Sequence, residues 1–127
     1  MKNVSLFLVF LTGCLLEGTP PVSYVYESCR SVYDCERAAD DCVSLALSDG
    51  AFGRMCSNYC NPEASDPDAV CLDGGVCYAL ESDIPAICYA PCTDQNGLPD
   101  NRYCDSDFEC VEIVLPDDSV DYICLPY

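Results

Sequence analysis

Apolar positions along the chain form one dense run at the start and short alternating runs after it. Val4 to Leu11 (VSLFLVFL) is nearly unbroken apolar sequence behind Met1-Lys2-Asn3. With Leu15 and Leu16 the run reaches about 13 residues, short of the ~20 that a bilayer-spanning helix needs. A short basic start followed by a short apolar stretch reads as an export signal, not a membrane span. Further on, Asp34 to Leu47 (DCERAADDCVSLAL) reads as one helix, with Asp34 as N-cap, Glu36 in the first turn and Gly50 beyond the end. Cys35, Ala38, Ala39, Cys42, Leu45 and Ala46 then share a face, which is read as core. Period-two runs suggest two hairpins. Val76–Leu80 pairs with Ala86–Tyr89, and Glu109–Leu115 pairs with Tyr122–Leu125 around the turn-type run Pro116-Asp117-Asp118. Segments 61–68 and 94–101 read as linker loops.

The cysteines change this picture most. There are 13 in 127 residues, a level that marks a disulfide scaffold. Small exported domains bury too little apolar surface to offset chain entropy, and cross-links make up the difference. Leaving out Cys14 gives an even set of 12 that can pair completely. The spacing repeats. C-x5-C occurs at Cys29–Cys35, Cys71–Cys77 and Cys104–Cys110, and each is followed by a further cysteine, Cys56, Cys88 or Cys124. Cys56 and Cys88 open C-x3-C units that end at Cys60 and Cys92. This implies three Cys-rich modules, 29–60, 71–92 and a truncated 104–127, the first enlarged by an insertion carrying Cys42. The fold class expected is small and disulfide-rich: short β-hairpins and loops, one helix near 34–47, and three irregular modules.

If each such module closed on itself, the last would hold an odd cysteine. A staggered scheme avoids that: Cys29–Cys42, Cys35–Cys56, Cys60–Cys71, Cys77–Cys88, Cys92–Cys104 and Cys110–Cys124. The alternative exchanges the first two roles in each module and requires Cys35–Cys42. It is disfavoured because seven residues along a helix rise about 10 Å, too far for a disulfide. Tyr33 and Phe108, each two residues before a cysteine, are expected to cover disulfides.

Charge narrows the partners. The chain has 22 Asp and Glu against 5 Lys and Arg. Beyond Lys2 the cations are Arg30, Arg37, Arg54 and Arg102. Such a surface repels phosphate backbones and anionic headgroups, so nucleic acid is not an expected partner. No histidine occurs. That removes the usual general base at neutral pH and the commonest zinc ligand, and no enzyme is expected. The two C-x3-C units have zinc-like spacing, but thiols in an oxidising compartment become disulfides. The remaining metal candidate is calcium. Asp94, Asn96, Asp100, Asp105 and Asp107 form a dense oxygen set around Gly97. The run weakly resembles the Asp-rich loops of thrombospondin type 3 repeats, without their full alternation. A solvated turn is the favoured reading; otherwise no cofactor is expected.

The end of the apolar run is specific. Leu11-Thr12-Gly13-Cys14 resembles the lipobox of bacterial lipoproteins: an aliphatic residue, two small residues and a cysteine. The resemblance implies a signal peptide over 1–13, cleavage before Cys14 and lipidation of Cys14. A lipid-anchored tether over 14–28 would follow, with the membrane as partner through the N-terminal lipid. Several acyl chains on one residue anchor stably where one does not. Leu15 after the lipidated position suggests sorting to the outer membrane or cell surface. From Cys29 to Cys124 the layout is also similar to the Cys-rich modular lipoproteins of myxobacteria and their relatives, on spacing alone. The expected function is a non-enzymatic structural or binding module at the bacterial envelope, with a protein or glycan ligand. The alternatives are a secreted eukaryotic Cys-rich effector, toxin or inhibitor, and a calcium-stabilised adhesion module.

Overall fold

A computed structural model describes residues 23–36 and 39–127. It contains three two-stranded antiparallel sheets, each a hairpin. β1 (Asp41–Ala46) pairs with β2 (Phe52–Ser57), β3 (Val76–Tyr78) with β4 (Ile87–Tyr89), and β5 (Phe108–Val114) with β6 (Val120–Pro126). The fold is small and disulfide-rich, with short 3-10 turns before and between the hairpins.

In every hairpin two cysteines stand directly opposite each other: Cys42 and Cys56, Cys77 and Cys88, Cys110 and Cys124. Opposed residues share a face of a sheet, so each pair projects the same way, toward the segment that precedes the hairpin. Each member bonds to one cysteine of that segment. The pairs are Cys29–Cys42 and Cys35–Cys56, Cys60–Cys77 and Cys71–Cys88, Cys92–Cys110 and Cys104–Cys124. Four consecutive cysteines thus close first to third and second to fourth, three times over, and none of these six bonds links one unit to another. Cys29–Cys42 and Cys35–Cys56 are as the staggered scheme has them. Cys60–Cys71, Cys77–Cys88, Cys92–Cys104 and Cys110–Cys124 are not formed. The expected partners Cys77 and Cys88, and likewise Cys110 and Cys124, are strand neighbours that each turn to the preceding segment instead. The units run 29–56, 60–88 and 92–124, and Cys42 belongs to the regular set rather than to an insertion.

The helix expected over 34–47 is replaced by a 3-10 turn at Val32–Asp34 and by β1. Two forces decide against it. Val43 and Leu45 are buried while Ser44 and Ala46 are exposed, which is strand alternation. Asp34 also caps backwards: its Oδ2 accepts from the N–H groups of Arg30 (2.8 Å) and Ser31 (3.2 Å). Of the two aromatics expected over disulfides, Phe108 is buried in the core and Tyr33 is almost wholly exposed.

The units are stitched by one repeated pair of backbone bonds. The Cys56 N–H donates to the Glu27 carbonyl and the Cys29 N–H to that of Arg54. In the next unit Cys88 donates to Asn58 and Cys60 to Ala86; in the third, Cys124 donates to Ala90 and Cys92 to Tyr122. A short third strand thereby covers the outer edge of β2, β4 and β6. In the second and third units that strand is the continuation of β2 and β4, so each unit hands its exit strand to the next.

The hairpins share one core. Leu45, Met55, Ile87, Tyr89, Ile123 and Leu125 are fully or almost fully buried, and Val25, Tyr26 and Phe108 pack with them. Gly53 of β2 lies so close to Pro126 of β6 that a Cβ has no room there, which brings the first unit against the third. Ser57 is the buried polar side chain of this core, and its hydroxyl donates to the Cys88 carbonyl at 2.6 Å. Ser57→Ala is expected to cost about 1 kcal/mol, the net worth of one such bond. The urea midpoint should fall with the slope unchanged.

Candidate functional site

Cys14, the expected lipidation site, and the segment 1–22 lie outside the described residues. Disulfide cysteines fill the positions where thiol chemistry would otherwise be sought. Among the described residues, the groups of three His, Cys, Asp or Glu ligand atoms within 4.8 Å of one another are all cysteine sulfurs: Cys29, Cys35 and Cys42; Cys60, Cys71 and Cys88; Cys92, Cys104 and Cys124. Every one is already in a disulfide, so these are stacked bridges and not thiolate ligands. Six disulfides in a chain this small belong to an oxidising, extracytosolic environment. Among the described residues no helix is long and apolar enough to cross a membrane.

No three of the four carboxylates among the calcium candidates, Asp94, Asp100, Asp105 and Asp107, come within 4.8 Å of one another. Asp94 Oδ1 accepts from the N–H groups of Asn96 (2.8 Å) and Leu98 (3.0 Å), closing its own turn. Asp100 is engaged by Arg102, whose Nη2 lies 2.7 Å away. The hydrogen bonds from the Arg102 side chain and N–H, with its charge, hold the Asp100 carboxyl below the usual carboxylate range. Asp105 and Asp107 meet Ser28. The Ser28 N–H donates to Asp105 at 3.5 Å and its hydroxyl to Asp107 at 3.3 Å.

A different surface was not legible in the sequence. Between the second and third units runs an open groove of about 540 Å³, with Tyr78 and Leu80 on one wall and Ile113, Val114, Leu115 and Pro116 on the other. Tyr78 donates its O–H to Asp121 in a short hydrogen bond. Burial first, then that bond and the charges of Asp121, Asp68 and Asp117, push the Tyr78 phenol far above its ordinary value. Glu63 also lines the groove. The described arginines lie elsewhere: Arg102 on Asp100, Arg30 beside Asp34, and Arg54 donating to the Arg30 carbonyl. The groove is apolar inside and anionic around Tyr78, with no cation among its lining residues. No signal along the chain joins Tyr78 to Asp121, which lie 43 residues apart.

No protein-family model, no curated protein and no solved structure matches this chain.

The buried phenols make stability depend on alkaline pH. Tyr26 donates its hydroxyl to the Leu72 carbonyl at 2.6 Å, and burial, with the charge of Asp73, pushes it up to about 12. Tyr89 is fully buried and, among the described residues, its hydroxyl has no partner; burial raises it strongly. A pKa raised in the folded state means the unfolded chain loses its proton first. The stabilisation is therefore complete below the ordinary value of 10.0 and is lost as pH rises through about 12. Melting temperature should stay level up to about pH 9 and fall above 10. The share of tyrosinate absorbance that belongs to Tyr26 and Tyr89, read as the part lost on replacing each by Phe, should rise together with unfolding rather than before it.

Proposed function

We propose that this chain is an exported, non-enzymatic Cys-rich module held at a bacterial envelope by a lipid on Cys14, where it acts as a structural or binding surface. The observation that carries the reading is the closure of all twelve described cysteines into three two-disulfide units. Such cross-linking is made outside the reducing cytosol, and it holds a thin core rigid without a cofactor. The apolar run ending in Leu11-Thr12-Gly13-Cys14 supplies export and anchorage. The absence of histidine supports a binding role over catalysis.

The deciding measurement is the intact mass of the protein from its own cell, alkylated without reduction. The expected mass begins at Cys14, carries acyl chains and shows no alkylated thiol. A mass that begins after Cys14 and carries no lipid overturns the anchored reading in favour of a released effector, toxin or inhibitor. Alkylated thiols overturn the three closed units.

A further inference from the structure

We infer that the groove between the second and third units takes an extended, basic peptide segment of another protein, which adds as a strand to the open edge of β5. This rests on the binding-module reading and gives that module a partner chemistry.

Strand pairing shows which edge is open. The Cys124 N–H donates to Ala90, away from β5, so Cys110 opposite it also points its N–H outward, and it donates to the Asn101 side chain. Pointing alternates with a period of two, so the backbone groups of Glu112 and Val114 face outward as well. Among the described residues nothing hydrogen-bonds to those backbone groups. The outer edge of β6 is covered by residues 90–92, so β5 keeps the free edge of this hairpin. Exposed edges with unpaired N–H and C=O groups are templates for an added strand.

Side chains beside that edge set the partner's composition. Ile113, Leu115 and Leu80 offer apolar contact on the groove side, and Val114 is 65% exposed. Glu63, Asp117, Asp121 and Glu112 place carboxylates around them. A segment alternating apolar and cationic side chains meets both demands. A second copy does not, because each copy carries a net charge of −17 and would set Glu112 against a like surface. Anionic lipid and nucleic acid are repelled for the same reason.

The test uses the full mature chain, first shown by mass to carry no alkylatable thiol, so that a failed docking is distinct from a failed fold. The probe is a capped peptide as long as β5 that alternates Lys and Val, with its Glu–Val counterpart as control, titrated by calorimetry at low and at physiological salt. The Lys–Val peptide is expected to bind, more weakly as salt rises, and the Glu–Val peptide is not. Val114→Pro removes an outward N–H and should weaken binding about tenfold, the scale of a lost backbone bond and its neighbours. Glu63→Gln with Glu112→Gln should weaken it about threefold and flatten the salt dependence. Equal affinity for the two peptides, or an unchanged affinity in a folded Val114→Pro chain, overturns the proposal. A concentration-dependent dimer abolished by Val114→Pro would assign the edge to a second copy and overturn it too.

Discussion

A chain carrying Cys71→Ala and Cys88→Ala should melt about 15 °C below the parent, the largest loss expected from any single disulfide. The bond closes a loop of 17 residues. Restricting the unfolded chain over such a loop is worth about 3 kcal/mol, and in a domain near 100 residues each kcal/mol moves the midpoint by about 4–8 °C. Loop length does not single this bond out, since the other five span 13 to 21 residues. Its surroundings do. Cys88 is fully buried between Ile87 and Tyr89, themselves fully buried, and its carbonyl accepts from Ser57. The Cys88 N–H ties the second unit to the exit strand of the first through Asn58. At the other end of the bond, Cys71 precedes Leu72, whose carbonyl holds Tyr26. Cys29→Ala with Cys42→Ala removes a bond of similar loop entropy, 13 residues long, whose better-buried end, Cys42, keeps some exposure where Cys88 has none. Calorimetry under non-reducing conditions should show the smaller shift for that pair. Equal shifts would mean that chain entropy alone sets the cost and that the packing around Cys88 adds nothing.

The hairpins of the second and third units were legible in the sequence because turn chemistry and alternation agreed there. Pro116-Asp117-Asp118 fills a turn that needs a left-handed residue, and Asp118 takes it at φ 66°. The phase of the cysteine repeat was harder to read. Cys29-x5-Cys35 matches the spacing of Cys71-x5-Cys77, yet the equivalent pair in the first unit is Cys35 and Cys42, with six residues between. Spacing repeats equally well in either phase; what fixes it is register, which sets Cys42 opposite Cys56. The misread helix has a related cause. Asp34, Ala38 and Ala39 suit a helix locally, and only the two short steps Val43–Ser44 and Leu45–Ala46 record the strand. Two disulfides drawn to Cys42 and Cys56 outweigh propensities worth a few tenths of a kcal/mol per residue. At the candidate sites, the density of carboxylates was visible and their directions were not. Asp94 is taken up by its own turn and Asp100 by Arg102, whereas the groove is made by residues far apart in the chain that meet only when the units pack.

Gly75→Ala should cost about 2–3 kcal/mol although the backbone there accepts any residue, at φ −63° and ψ 164°. The cost is steric and comes from another unit. A Cβ on Gly75 overlaps the Tyr26 hydroxyl, lies 2.7 Å from the Tyr26 Cζ and 3.1 Å from the Leu72 carbonyl oxygen. That carbonyl takes two donors, the Gly75 N–H at 2.9 Å and the Tyr26 O–H at 2.6 Å. Tyr26 cannot slide aside within a packed core, so it must leave, giving up its hydrogen bond and part of its burial. Gly74→Ala next door tests the opposite mechanism. Nothing lies within 4 Å of its Cβ, but φ is +74°, so a backbone cost of about 1 kcal/mol is expected and no coupling to Tyr26. A double-mutant cycle separates the two. In a Tyr26→Phe background Gly75→Ala should cost about 1 kcal/mol less than in the parent, because the most crowded atom is gone, while Gly74→Ala should cost the same in both. If Gly75→Ala proves equally costly with and without the Tyr26 hydroxyl, that hydroxyl is not what fixes a glycine at this position. The link it makes between the first and second units would then carry less of the stability than this geometry assigns to it.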